Sequence, residues 1–368
     1  MRKDLCIVGA GPAGLLTASY VKERDIILIE EHRQVGVPKH CAGLVGIETK
    51  RKIEQQLSPK LIDNEYNEIE FHIAGVGRYV FHFKQPFVFH VNRPMLEQKL
   101  FDKVSSRVEF LNKVRAKPGN SPTEITIEYS VMKCQEVVAS DGVLSVFRQR
   151  FYKVKPCYLI GFQGLFRTGY VNKDRIIVTY INNNDLIFHW IIPFDNDLVL
   201  SGYISRKPLQ INITEKLLIL NGLQPKSVAE YFGGLIPCNH PLKTPVFAHN
   251  LYFFGDAVPL VKPYTGGGLY YIFKLAPDLA LALDKKDPEI YEKAYISQSY
   301  FKLETERLLT GFFSRTRYWL PVPILEFVEK TGLLGIEDYD RHYKLFFKTL
   351  PFTPILPVHL FRMRRALA

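Results

Sequence analysis

Residues 5–32, LCIVGAGPAGLLTASYVKERDIILIEEH, admit few folds. An apolar run of strand length leads into Gly9, Gly11 and Gly14. A helical run follows, and then a second apolar strand from Asp25 that ends at Glu30. Glycine triplets spaced GxGxxG between a strand and a helix form the first turn of a dinucleotide-binding βαβ unit. Gly9 permits the tight turn, Gly11 lets a pyrophosphate approach the backbone, and Gly14 lets the helix pack on the strand. The helix start, at Pro12 and Ala13, offers the positive end of the helix dipole to the phosphates, with N–H groups from Ala13 onward, since Pro12 has none. Glu30 stands where an acid would bind ribose hydroxyls. The turn alone leaves NAD and FAD both open.

Three later motifs choose between them. VVASDGVLSVFRQR carries Asp141 and Gly142 after an apolar run, with Ser145 and Arg148 at DGxxSxxR spacing. LYFFGDA ends an apolar run in Gly255 and Asp256, and KPYTGGGL follows after a short loop. An acid at a strand end accepts hydrogen bonds from a polyol. Consecutive glycines opening a helix leave backbone N–H groups free to meet an electron-poor ring or a phosphate. A flavin has both parts, so Asp256 is assigned to the ribityl or pyrophosphate segment and Gly266, Gly267 and Gly268 to the isoalloxazine edge. The expected cofactor is FAD.

With these motifs in this order, the chain resembles the geranylgeranyl reductase family, among the glutathione-reductase-like flavoproteins, over about residues 3–285. GVPKHCAG, with Gly36, Pro38 and Cys41, is similar to that family's GxPxxCxG segment beside the flavin. VNRPMLEQKL resembles its helix start with Arg93 in the cofactor position. DLIFHWIIPF resembles its PxxYxWxFP signature: Trp190 and Pro193 match, while Asp185, Phe188 and Ile192 replace the first proline, the tyrosine and the phenylalanine. The resemblance implies a cofactor set that also holds Ala42, Gly43, Leu44, Val114, Pro263 and Leu269. It implies reduction of isolated double bonds in a polyprenyl lipid by hydride from reduced FAD. Such an alkene also needs a proton, and Cys41 is the candidate by its motif position; its other reading is a small residue packed against the flavin. Reducing equivalents would come from an external donor, NADPH or ferredoxin, because only one dinucleotide fingerprint is present.

A prenyl chain requires an apolar tunnel. RYVFHFKQPFVFHV places Tyr79, Phe81 and Phe83 at period two, and Phe87 and Phe89 beyond a Gln-Pro turn, which reads as an aromatic-faced hairpin. Phe81, Phe83, Phe89, Phe188, Trp190 and Pro193 are the expected substrate-contacting residues, although any one of them can equally be core packing. His189 reads as an ordinary strand histidine. From about Pro288 the spacing is helical and carries no chemical motif.

The expected fold is therefore α/β: a discontinuous, three-layer Rossmann-like FAD-binding domain (1–75, 92–150 and 240–286), an inserted, mainly antiparallel substrate domain (76–91 and 151–239) and a helical C-terminal region (287–368).

The five cysteines are scattered without CxxC or metal-ligand spacing, so neither a disulfide framework nor a metal site is expected. The strand-like start and the lack of about 18 uninterrupted apolar residues predict a cytoplasmic protein that does not span a membrane. The formal net charge of +11 favours anionic partners. No aromatic-basic motif points to nucleic acid. The basic, apolar terminus with Lys344, Lys348, Arg362, Arg364 and Arg365 suits peripheral contact with an anionic bilayer, or packing on its own domain. Competing functions are a flavin monooxygenase, which shares the glycine motifs, and a flavin halogenase, which FHWIIP also resembles. An electron carrier to quinone is the third, but it would call for an iron–sulfur cysteine cluster that is absent here.

Overall fold

The computed structural model describes residues 2–22, 24–181, 183–316 and 321–349. Five strands run parallel in the order Leu251–Phe253, Ser130–Ala139, Arg2–Val8, Ile26–Ile29 and Val108–Leu111. They belong to an eight-stranded sheet with Val246–Phe247 at one edge and an antiparallel extension of Ala116–Pro118 and Glu124–Ile127 on Ser130–Ala139. Every residue of Ile26–Ile29 is buried, as a parallel strand covered on both faces requires. The helix Pro12–Tyr20 packs against Arg93–Val104 and Leu269–Lys285.

A second sheet of seven strands runs in the order Ser227–Pro237, Tyr158–Arg167, Leu198–Ser205, Leu186–Pro193, Arg175–Tyr180, Glu68–Ile73 and Gly77–His82. All its pairings are antiparallel except Arg175–Tyr180 with Glu68–Ile73. A third sheet joins Leu44–Gly46, Val88–Val91 and Ile62–Tyr66. The expected α/β architecture with a mainly antiparallel second sheet is the one observed.

The expected aromatic hairpin is not formed. Gly77–His82 pairs with Glu68–Ile73, whereas Val88–Val91 pairs with strands of the small sheet. The Phe83 N–H donates to Asn67 O and the Phe87 N–H to Tyr66 O, so the intervening Lys-Gln-Pro carries the chain from one sheet to the other. Period-two spacing continues across that step, but spacing carries no information on which strand is the partner.

The cysteine expectation also needs correction. Cys6 is joined to Cys134 and Cys157 to Cys238, leaving Cys41 free. Cys6 and Cys134 lie on adjacent parallel strands, and Cys157 and Cys238 close the paired strands Tyr158–Arg167 and Ser227–Pro237. Separations of 128 and 81 residues hide both pairs from a reading of spacing.

The C-terminal region is helical at Pro288–Tyr295, Phe301–Thr316, Pro321–Thr331 and His342–Thr349. Among the described residues no helix is long and apolar enough to cross a membrane. Lys348 bonds Asp338 at 2.6 Å within the chain, and Arg362, Arg364 and Arg365 lie outside the described residues. Asp340, only 1% exposed, ties this region to the rest. Its carboxylate accepts the Glu48, Thr49 and Gly46 N–H groups at 2.9, 3.1 and 3.3 Å and the Thr49 hydroxyl at 3.1 Å, with the Lys262 ammonium 3.8 Å away. A residue almost 300 positions distant thus serves as the N-terminal anion of the helix Ile47–Gln56, which has no cap of its own. Asp340→Ala leaves these donors without an acceptor and removes the carboxylate nearest a buried ammonium, and is expected to cost about 3 kcal/mol. The loss should appear as a lower urea midpoint; a midpoint equal to wild type would show that the contact does not anchor the region.

Candidate functional site

One cavity of about 1010 Å3 lies where the parallel sheet, the antiparallel sheet and the C-terminal region meet. Gly9, Gly11, Pro12 and Ala13 form one wall. Gly14 does not reach the cavity. A Cβ there would lie 2.0 Å from Gly9 O, so its bareness serves the closeness of helix and turn. Around Gly11 the reverse holds: nothing lies within 4 Å of its Cβ position, and the space opens to the cavity. The Glu30 carboxylate lines the same wall and accepts the Ala10 N–H at 2.7 Å and the His32 N–H at 2.9 Å. Val114 sits beside it, its N–H donating to Glu30 O.

The DGxxSxxR segment proves to be a clamp. Asp141 Oδ2 accepts the Val146 N–H at 2.8 Å, and Ser145 Oγ accepts the Arg148 N–H at 3.0 Å, which starts the helix Val146–Phe151. The fully buried Arg148 guanidinium donates to the Val143, Asp256 and Ala257 carbonyls. Asp141 and Asp256 are thereby fixed against one another on the cavity wall, with Gly142 beside them. Gly255 stays out of the cavity, its Cβ position 2.7 Å from the Ala13 Cβ; at φ +65° it turns the chain so that only Asp256 faces inward.

The opposite wall carries Gly266, Gly267, Gly268 and Leu269 at the start of the helix Leu269–Lys285. Neither this helix nor Pro12–Tyr20 has a side-chain N-cap, so two positive helix ends open on one cavity. Pro263 does not line it. Cys41, Ala42, Gly43, Leu44 and Arg93 complete this part of the wall. The Cys41 thiol accepts the Gly43 N–H at 3.4 Å.

Electrostatics agree with a cofactor held here. Burial pushes the Asp256 carboxyl up to about 6, with Arg93 and Arg148 opposing the rise. Burial likewise raises Asp141. Burial would lower Arg93, but the carboxylates of Glu97 and Asp256 oppose it and hold its guanidinium charged. Among the described residues several buried polar atoms on the wall have no partner, Arg93 Nε and Asp141 Oδ1 beside the glycine cradle and Gln163 Oε1, Trp190 Nε1 and His342 Nδ1 farther along. The open approach to the Gly11 backbone, uncapped helix ends, orphaned polar atoms and a bare glycine triplet together fit FAD.

Beyond the glycine triplet the cavity becomes apolar, lined by Ile69, Phe71, Ile176, Phe188, Trp190 and Ile192 from the antiparallel sheet and by Ile324, Leu325 and Leu334 from the C-terminal region. Of the expected substrate-contacting residues, Phe188 and Trp190 are there. Phe81, Phe83, Phe89 and Pro193 are not. Strand parity explains Pro193: residues 188, 190 and 192 share one face, and 193 turns to the other, where its carbonyl accepts the Tyr66 hydroxyl. Phe81 lies on the edge strand against the helix Pro321–Thr331, its ring edge-on to Phe71. Phe83 stacks on Phe87 at 4.0 Å, and Phe89 lies under the Lys50 ammonium. His189 is fully buried, bonded to Ser201 Oγ and pushed down to about 3 by burial, an ordinary strand histidine as expected.

Sequence reasoning missed Lys262 and the whole C-terminal wall, including Asp338, Tyr339 and His342. The cluster EDYDRHYK, charged and aromatic between two helical runs, was the only signal of that wall in the chain.

No family model matches the chain. An uncharacterised protein of Methanocaldococcus jannaschii is 25% identical over 380 residues, spanning 94% of each chain. Digeranylgeranylglycerophospholipid reductase 2 of Methanopyrus kandleri is 26% identical over 312 residues, 73% of this chain and 74% of that one. Among solved structures, a geranylgeranyl bacteriochlorophyll reductase-like protein of Thermoplasma acidophilum superposes with a TM-score of 0.65 at 15% identity, covering 92% of this chain and 90% of that one. PqsL of Pseudomonas aeruginosa, a probable FAD-dependent monooxygenase, superposes at 0.64 and 16% identity over 94% and 100%. These findings bear out the expected flavoprotein fold, the kinship with the geranylgeranyl reductases and an FAD-dependent oxidoreductase.

Proposed function

We propose that this relative of the geranylgeranyl reductases reduces isolated C=C bonds of a polyprenyl lipid. The observation that carries the reading is the continuity of one cavity, from the glycine cradle past Cys41 into an apolar lobe around Phe188, Trp190 and Ile192. The uncapped helix start at Pro12 would hold the pyrophosphate, Glu30 the ribose, Asp256 the polyol, and Gly266–Gly268 with the uncapped helix start at Leu269 the ring edge. FAD bound there in its reduced form supplies a hydride. The apolar lobe takes the prenyl chain and excludes water, which keeps the proton supply under the control of the protein. Cys41, the free thiol on the shared wall, delivers the proton to the alkene carbon adjacent to the one that accepts hydride. Two C–H bonds form as the π bond and the Cys41 S–H bond are lost; a proton from solvent restores the thiol after product leaves, and an external donor, NADPH or ferredoxin, restores the reducing equivalents.

The fold is shared with a probable monooxygenase, which makes hydroxylation the second reading. Product mass separates them. After turnover on a geranylgeranyl lipid, a gain of two hydrogens per reduced bond is expected; a gain of one oxygen atom would transfer the assignment to the second reading.

A further inference from the structure

Lys262 is a cation where a chain of this kind has every physical reason to avoid one. It is 3% exposed, and burial pulls its ammonium below the ordinary lysine range while Asp340, Glu306 and Glu48 oppose that fall. Two backbone bonds set its position: the Gly266 N–H donates to Lys262 O at 2.8 Å and the Lys262 N–H to Gly267 O at 3.1 Å. Lysine is therefore built into the same tight loop as the glycine triplet. Its Nζ lies only 3.9 Å from where a Cβ on Gly267 would stand, and its side chain lines the cavity.

Its partners among the described residues leave it incompletely satisfied. Of three N–H bonds, one meets Tyr339 O at 2.7 Å. The nearest carboxylate, Asp340, is 3.8 Å away, beyond hydrogen-bond reach, and is committed to the N–H groups of residues 46, 48 and 49. Glu306 does not neutralise it cleanly, since burial raises that carboxyl to about 7. Aromatic faces of Tyr339 and Tyr270 lie 5.0 and 5.8 Å off. A buried ammonium with donor capacity left over, held against a bare glycine triplet, is suited to an anion that forms on the other side of that triplet.

We infer that Lys262 is the electrostatic partner of the reduced cofactor, stabilising the negative charge that the isoalloxazine ring gains when it accepts an electron pair. The inference rests on FAD occupying this cavity. Lys262 and the uncapped start of the helix Leu269–Lys285 act on the same edge of the ring, the first as a full charge and the second as a partial one. Both favour the reduced form over the neutral oxidised form.

The test is the midpoint potential of bound FAD in wild type, Lys262→Met and Lys262→Arg, with FAD affinity and thermal midpoint measured on the same samples. Lys262→Met is expected to shift the balance toward oxidised cofactor by at least tenfold, a fall of about 30 mV for a two-electron couple. FAD affinity for the oxidised form should stay within about threefold, and Lys262→Arg should recover most of the potential. An unchanged potential with a lowered melting point would overturn the inference and make Lys262 a tether for Tyr339 and the C-terminal wall. Should the wild-type protein bind no FAD at all, the functional reading itself fails, an outcome separate from either result in the variants.

Discussion

Cys41→Ala is expected to retain a full complement of FAD and to lose alkene reduction by about 10²- to 10⁴-fold, the range associated with removing a positioned acid. Both halves of that result follow from where the thiol stands. Cys41 is the one cysteine outside the two disulfides and it lines the cavity, yet among the described residues its side chain makes only the weak hydrogen bond accepted from Gly43. Nothing in the fold hangs on the sulfur, so truncation leaves the cradle intact. An unactivated alkene is a poor hydride acceptor until a proton is delivered to its other carbon, and the apolar lobe offers little water to supply that proton. Visible absorbance of the purified variant measures FAD content, and single-turnover product analysis measures reduction. Wild-type turnover in the variant would return Cys41 to the role of packing against the flavin.

Gly11→Val is expected to give a folded protein that holds no FAD. The Gly11 φ and ψ of −75° and −176° are open to any L-residue, and no atom lies within 4 Å of its Cβ position. The branched side chain therefore fits the apo fold but fills the space needed for close approach of a phosphate to the backbone. Loss of two charge-assisted hydrogen bonds at about 1.5–3 kcal/mol each weakens FAD binding by at least about 100-fold. Gly14→Ala provides the contrast. Its Cβ would collide with Gly9 O at 2.0 Å, so that substitution disrupts the turn itself and lowers the melting point of the apo protein. Equilibrium titration with FAD and thermal melts of the apo forms distinguish the two. Normal FAD affinity in Gly11→Val would mean that the pyrophosphate does not lie over this turn.

The parts of the site visible in the sequence are those where physics demands bare backbone. Gly11, Asp141, Asp256 and Gly266–Gly268 were legible because a cofactor that touches main chain leaves glycines at fixed offsets from a strand end. The clamp formed by Arg148 was visible only as a spacing, since two of its three acceptors are carbonyls 108 and 109 residues away. Apolar walls are harder. Phe188 and Trp190 were found through a motif, but Phe81 and Phe89 share their composition and period, and Phe81 lies on the far edge strand of the same sheet while Phe89 lies in the small sheet. The C-terminal wall escaped altogether. Leu334, Tyr339 and His342 become site residues only because Asp340 reaches the helix start at residues 46–49, a long-range contact for which neither helical spacing nor composition has a signature. Lys262 was overlooked for a related reason. A lysine before Pro-Tyr-Thr-Gly reads as a solvated charge until the fold buries it.

The reading of one cavity as both a flavin site and a prenyl site is tested most directly by the flavin spectrum under strict anaerobiosis. FAD-loaded protein is reduced chemically, mixed with a geranylgeranyl lipid and, separately, with the same lipid fully saturated. Reoxidation is expected only with the unsaturated lipid, in proportion to the double bonds lost. A flavin that stays reduced with both lipids, and reoxidises only when oxygen is admitted, would contradict the account.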